Sequence, residues 1–342
     1  MTSTTTLAPI SNLTDVFSTI ADSLAPSTQN TYEQQLKLMR EHYSRRGWEI
    51  YPYSPEGEFM GAQFVAQVLS YLQELQSRGR TVSTLVKTLS ALKNDASAPE
   101  AIGLLNSKAV NAFMHGVRRN GAGYKPRKAK AFSLQELKVL HASLKKQHSV
   151  RATRDRAILA LGVATALRSS ELTALTLGDL TPMLIADGFL VTVTRSKTDQ
   201  TGEGRSIPFK SSSNSLLDPV KALKEWLRVL AHFGFSAEVT PNAPLFPNMR
   251  GNSITGAFIS HPAVTLSEML RRSVVKAGVC TVSEAQAFSS HSLRTTFITL
   301  SSQAGVSERL ISEVSGHKNM HTLRGYDRTA VEAFAQTEYL GE

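Results

Sequence analysis

The chain has 342 residues, 41% of them apolar, with 38 lysines and arginines against 28 acids and a formal net charge of +10. That length predicts two domains, each able to bury its own core, and the basic balance favours a polyanionic partner. No run of about eighteen or more apolar residues is present, which excludes a membrane-spanning helix, and the single Cys280 excludes an intramolecular disulfide and suits a reducing compartment.

Residues 1–26 are rich in Ser and Thr and lack the positive and apolar regions of a secretory leader, so they read as a flexible tail. Ser27 is a candidate cap for a first helix, in which Tyr32, Leu36, Met39 and Tyr43 keep helical spacing up to Gly47. After the Pro- and Gly-containing loop 51–57, a second helix fits 59–77 with Phe64, Val68, Tyr71, Leu72 and Leu75 on one face. A third fits 82–94, starting near Thr81, with Leu85, Thr88, Leu89 and Leu92 inward and Lys87 among its polar positions. Ala98-Pro99 reads as a turn and 107–119 as a fourth helix. Four amphipathic helices with short connections predict a helical domain over 27–119.

From Arg118 to Lys130 the chain carries six basic residues (Arg118, Arg119, Lys125, Arg127, Lys128 and Lys130) and no acid. This is a solvated linker between domains, at 120–131, or a strap laid along a phosphate backbone, where each neutralised phosphate releases counterions.

Ser133-Leu-Gln-Glu136 is a capping box opening a helix to about Lys146. Residues 152–166 are apolar nearly all round, which predicts a helix buried at the centre of the second domain. It runs into Arg168 and Glu171, whose spacing alone is that of an ordinary i,i+3 ion pair. Residues 188–194 alternate like a strand, with 205–209 as partner and a polar turn between them that carries Lys197. Helices are expected over 214–232 and 264–277, with loop over 240–260.

The stretch from His291 to Arg328 is the densest in chemistry. His291 and Arg294 stand three apart on a helix whose buried face carries Leu293, Phe297 and Leu300. Arg offers a planar fork of donors to phosphate oxygens, and His moves a proton near neutral pH. Ser307 is a candidate cap for the next helix, Gly316-His317 breaks it, and Tyr326 follows between Gly325 and Asp327. His317 and His321, four apart, have the spacing of a zinc helix, but Lys318 replaces the glutamate such sites use and Arg294 and Lys318 repel a cation. Residues 304–312 also have the form of a helix-turn-helix turn, a reading that makes the chain a non-catalytic DNA-binding regulator.

His291-Ser-Leu-Arg294-Thr-Thr-Phe, then Gly316-His317, then Tyr326 nine residues on, resembles the C-terminal signature of the tyrosine recombinases, the phage integrase family. T-A-L-R-S-S-E-L at 165–172 resembles its R-x-x-E motif, and K-T-D-Q-T-G-E-G-R-S-I-P-F at 197–209 its lysine hairpin. Two departures stand out: Ala166 where the family often has Gly, and Ser315 where Leu is common.

The resemblance implies a mainly α fold with a small antiparallel sheet. It implies a helical core-binding domain and an α+β catalytic domain over 132–342, closing as a C-clamp on DNA. It implies Arg168 and Arg294 as a phosphate clamp, His291 as proton acceptor, His317 as phosphate donor and Lys197 as the acid for the leaving 5′-hydroxyl. Tyr326 becomes the nucleophile, and Glu171 orients its neighbours. No metal, ATP or other cofactor is then expected, and a small-molecule substrate is not. The expected partners are double-stranded DNA, with inverted-repeat arms, and three further copies in a tetramer on two synapsed sites. A helix over 329–342, carrying Val331 and Phe334, would dock on a neighbouring copy. The protein would reside in the cytoplasm on DNA, or in the nucleus of a eukaryotic host. A type IB topoisomerase shares this chemistry, but the Gly316-His317 motif favours the recombinase.

Overall fold

A computed structural model describes residues 24–95, 99–120, 128–194 and 204–317. Lys125, Arg127, Lys197, His321, Tyr326 and the expected docking helix lie outside them, as does the tail before residue 24. The chain divides into two units, residues 1–126 and 127–342.

In the first unit α1 (Pro26–Ser44) starts with Pro26 in its first turn; Ala25 holds the cap position and no side chain caps there. The expected Ser27 cap is therefore corrected: proline's fixed φ and missing N–H suit the first turn, so the helix begins before the serine. α2 (Gly61–Ser77) starts later than expected because Phe59 forms a β-bridge with Tyr53. α3 (Val82–Asn94) opens on Thr81, whose hydroxyl accepts the Thr84 N–H at 3.2 Å. A short α4 (Pro99–Leu104) stands where the sequence suggested only a turn, again led by proline, and α5 (Lys108–Arg119) follows behind its Ser107 cap. Met39, Phe64, Leu72, Leu85, Leu92 and Val110 meet in one core.

The second unit is built around α7 (Val150–Thr165). It packs against α6 (Leu134–Lys145), α9 (Pro219–His232) and α11 (Ser292–Gln303). Its all-round burial matches the sequence pattern, yet it also hides Arg154, Asp155 and Arg156. Those charges are paired: Arg154 with Asp155 at 2.8 Å, Asp155 with Arg272 at 3.3 Å, and Arg156 with Glu225. At Gly162 a Cβ would come within 2.5 Å of Leu293 Cδ1, so the bare backbone lets α11 pack close. The capping box on α6 forms as expected, between Ser133 and Glu136.

After α7 come α8 (Ser169–Ala174) and a three-stranded antiparallel sheet ordered β1 (Leu180–Pro182), β2 (Gly188–Val193), β3 (Arg205–Lys210). The strand β1, not expected from sequence, pairs Leu180 with Val191 at the edge, where Pro182 costs no ladder bond. Phe189, Val191, Val193, Ile207 and Phe209 turn their side chains into the core. α9 starts five residues later than expected, at Pro219, because the Asp218 carboxylate accepts the N–H groups of Val220 and Lys221. Within the expected loop 240–260, β4 (Met249–Arg250) and β5 (Ser253–Ile254) form a small hairpin. α10 (Pro262–Lys276), α11 and α12 (Glu308–Ser315) complete the described fold; α12 has the expected Ser307 cap and ends on Gly316 at φ +66°. The protein is mainly helical with a small antiparallel sheet, as the resemblance implied.

Candidate active site

α7 ends in a sharp turn. Ala166 sits in the left-handed region at φ +52°, fully buried, and Arg168 then takes the cap position of α8. The turn aims the Ala166 carbonyl at α11, where Arg294 Nη1 donates to it at 2.9 Å. Arg168 is held by Glu171, which accepts its backbone N–H at 2.9 Å and its Nη1 at 2.7 Å. This i,i+3 pair is more than a surface ion pair, because the Glu171 side chain is only 2% exposed. The Arg–Glu spacing read from sequence thus places Glu171 to take both the backbone N–H and the guanidinium of Arg168.

His291 precedes the first turn of α11, and Arg294, one turn on, is 1% exposed although it is a full guanidinium. Beyond its bond to Ala166, Arg294 brings Nη2 to 3.1 Å from Nε2 and 3.2 Å from Nδ1 of His317. His317 reaches it because Gly316 takes the left-handed conformation after α12, and because Ser312 Oγ donates to the His317 carbonyl at 2.6 Å. Ser315, a departure from the family pattern, has a use here. Its Oγ donates to the Ile311 carbonyl at 2.6 Å and lies 2.8 Å from His317 Nδ1. With the hydroxyl hydrogen committed to Ile311, the Ser315 oxygen is left to accept from Nδ1–H of His317.

The electrostatics favour neutral rings at both histidines. Burial first, then Arg294 and Arg168, push the His291 pKa below its ordinary value. The same causes in the same order, joined by His291 and Arg205, push His317 down to about 4. Both rings are therefore neutral at pH 7, one able to accept a proton and the other poised to gain one if an anion arrives.

One member of the cluster escaped the sequence reading. Arg205, the first residue of β3, donates Nη2 to Glu171 Oε2 at 3.1 Å and Nη1 to the Val314 carbonyl at 3.0 Å. Three guanidiniums thus act on His317, two of which (Arg168 and Arg205) share the Glu171 carboxylate while the third, Arg294, reaches the ring itself, an environment that favours an anion.

The structure therefore brings Arg168, Glu171, His291, Arg294 and His317 together from segments up to about 150 residues apart in sequence. Lys197 and Tyr326 lie outside the described residues. Among the residues read as a DNA strap, Lys87 is exposed on α3, and Arg118 and Arg119 are exposed in the last turn of α5. Lys128 is exposed, and Lys130 is held on the second unit. Its N–H donates to Ala287 O at 2.9 Å, and its ammonium pairs with Glu136 at 2.9 Å and lies over the Phe288 ring. No described helix is long and apolar enough to cross a membrane.

A family model described as the phage integrase family matches residues 131–332. An integrase/recombinase described as a XerD homolog, from Selenomonas ruminantium, is 27% identical over 262 residues, covering 76% of this chain and 72% of that one. In overall fold the chain resembles the XerH site-specific recombinase in a post-cleavage complex with palindromic difH substrate. That likeness has a TM-score of 0.57 and 22% identity, over 90% of this chain and 78% of that one. It also resembles lambda integrase (75–356), a dimer bound to a COC′ core site. There the TM-score is 0.57 and the identity 17%, over 92% and 94% of the two chains.

Proposed function

The chain belongs to the phage integrase family of tyrosine recombinases, whose work is site-specific DNA recombination, and we propose that it cuts and rejoins duplex DNA through a phosphotyrosine at Tyr326. The observation that carries this reading is the convergence of Arg168, His291, Arg294 and His317 around one anion-favouring site.

The scissile phosphate lies between Arg168 and Arg294, whose donors meet its non-bridging oxygens. Loss of either costs roughly 10²–10³ in rate, as for other preorganised donors. A free tyrosine has a pKa of about 10, so Tyr326 needs help to attack. Neutral His291 accepts the phenolic proton as the P–Oη bond forms and the P–O5′ bond breaks, help typically worth about 10²–10⁴. The leaving O5′ takes its proton from the Lys197 ammonium. The phosphate's negative charge offsets Arg294 and Arg168 at His317, which then gains a proton and donates to an oxygen. The 3′-phosphotyrosine keeps the bond energy, and a free 5′-hydroxyl from a partner duplex reverses the steps, so neither ATP nor metal is consumed. Strand exchange proceeds in a tetramer, with the segment 329–342 docked on a neighbouring copy. The basic residues Lys87, Arg118, Arg119, Lys125, Arg127, Lys128 and Lys130 supply backbone contacts to the DNA arms.

The test begins with a bound sequence selected from a random DNA pool, prepared as a nicked site from which the cleaved 5′ end diffuses away. Wild type is expected to give a nuclease-sensitive covalent band on a denaturing gel without added metal, and Tyr326→Phe none. Equal binding by both proteins with no adduct from either would leave the DNA-binding regulator as the reading.

A further inference from the structure

We propose that Arg205 is a positioning residue of this reaction, a single guanidinium that locks the Arg168 side of the phosphate clamp to the His317 side. The inference rests on the reaction proposed above, but its geometry stands apart from it.

Arg205 Nη2 shares the Glu171 carboxylate with Arg168: Oε2 takes Arg205 at 3.1 Å while Oε1 takes Arg168 Nη1 at 2.7 Å. Its Nη1 donates at 3.0 Å to the carbonyl of Val314, in the last turn of α12. A helix C-terminus carries partial negative charge, so a cation there is favoured as well as hydrogen-bonded. The guanidinium also approaches Gly316 by its Nη1 end: a Cβ at that position would collide with Arg205 Nη1 and Cζ. Gly316 thus meets the φ of +66° without strain and leaves the space that Arg205 occupies. His317 follows directly. Arg205 is anchored on the other side by the β2–β3 ladder, where it pairs with Val193.

No other described side chain bonds both to Glu171 and to the α12–Gly316 turn. Without Arg205, Glu171 can rotate with Arg168, and the turn that presents His317 loses its tie to the sheet. Displacements of about 1 Å in such a constellation cost roughly a hundredfold in rate.

The experiment is a double-mutant cycle on covalent adduct formation, with Arg205→Gln, Arg168→Ala and the pair, plus an NMR titration of the His317 ring in the DNA-free protein. Arg205→Gln should slow adduct formation about 10–100-fold, and Arg205→Lys, which keeps the charge, less. Added to Arg168→Ala, it should cost no more than about twofold, because both act through one clamp. A substrate with sulfur in place of the bridging O5′, whose leaving group needs no acid, should not rescue it. In the titration, the His317 pKa should rise in Arg205→Gln. Independent, multiplicative losses in the cycle, rescue by the sulfur substrate, or an unmoved His317 titration would each overturn the proposal. Should Arg205→Gln fail to fold, Arg205→Met, which also removes the charge, carries the same cycle and titration. If wild type makes no adduct, the reaction reading falls, while faster amide hydrogen exchange at Gly316 and His317 in Arg205→Gln, both bonded to the Ser312 carbonyl, still decides whether Arg205 holds the turn.

Discussion

Lowering the pH from 7.5 to 5.5 should tighten binding of the specific site through His317 by about tenfold. In the free protein, burial and the neighbouring Arg294 hold the His317 ring at about 4. A phosphodiester between Arg168 and Arg294 opposes those charges and returns the ring towards the ordinary value of about 6.5. The complex then binds more protons than the free protein, so affinity rises as pH falls through 6.5 and levels off below about 4. The linkage factor is (1 + 10^(6.5−pH))/(1 + 10^(4−pH)), about ten at pH 5.5 and near one at pH 7.5. The quantity that matters is the difference between wild type and His317→Gln. Fluorescence anisotropy at fixed ionic strength gives it, and calorimetry in two buffers of different ionisation enthalpy counts the proton taken up. An identical pH dependence in the two proteins would refute the argument, for it would mean no phosphate approaches the ring.

Glu171→Ala leaves Arg168 and Arg205 beside each other with no anion between them; both are partly exposed, so the loss should be about 2–4 kcal/mol in urea unfolding. Ala166→Gly should be close to neutral. Relief of about 1–2 kcal/mol of left-handed strain is offset by one buried methyl, about 0.8 kcal/mol, and by a looser unfolded chain, about 0.5–1 kcal/mol, whereas Ala166→Val should fall clearly below wild type in the same assay. His141, buried in α6 beside Arg156, has its pKa pushed down to about 3 by burial first and by that arginine second. The unfolded chain takes up a proton there from about pH 6.5 down and the folded one does not, so roughly 2 kcal/mol of stability should vanish between pH 6.5 and 5. In His141→Leu the stability–pH slope in that range should drop by one proton, as measured by urea unfolding at several pH values.

What the sequence showed of the site was what local spacing can carry. Arg168 and Glu171 share a turn, His291 and Arg294 share a helix face, and Gly316 announces the break before His317. Even the departure at Ala166 was visible, though its reason was not: the position needs a positive φ, which a string of letters does not reveal and which glycine adopts without strain. Helix starts slipped for a related reason. At Pro26, Pro99 and Pro219 the proline opens the helix, while Ser27, Pro99 and the 214 region were read by other signals. β1 is three residues long and exists only because β2 offers it an edge.

Arg205 marks the limit more sharply. Its partners lie 34 residues behind it at Glu171 and 109 ahead at Val314, so no periodicity joins them. In sequence it is one more basic residue closing a polar turn. Only the pairing of β3 with β2 fixes which way it points, and only the left-handed end of α12 leaves it room. The same consideration explains why the five motif residues were legible and this one was not. A group that must touch the phosphate is confined to a few positions relative to its helix, and that confinement shows as spacing. A group that holds two such elements together can stand anywhere the tertiary fold brings a cation between them. Residues of this second kind in the described fold are therefore to be sought among buried and half-buried arginines that bridge elements distant in sequence. Arg205 and Arg294 both have that form, but only Arg294 also carries a motif.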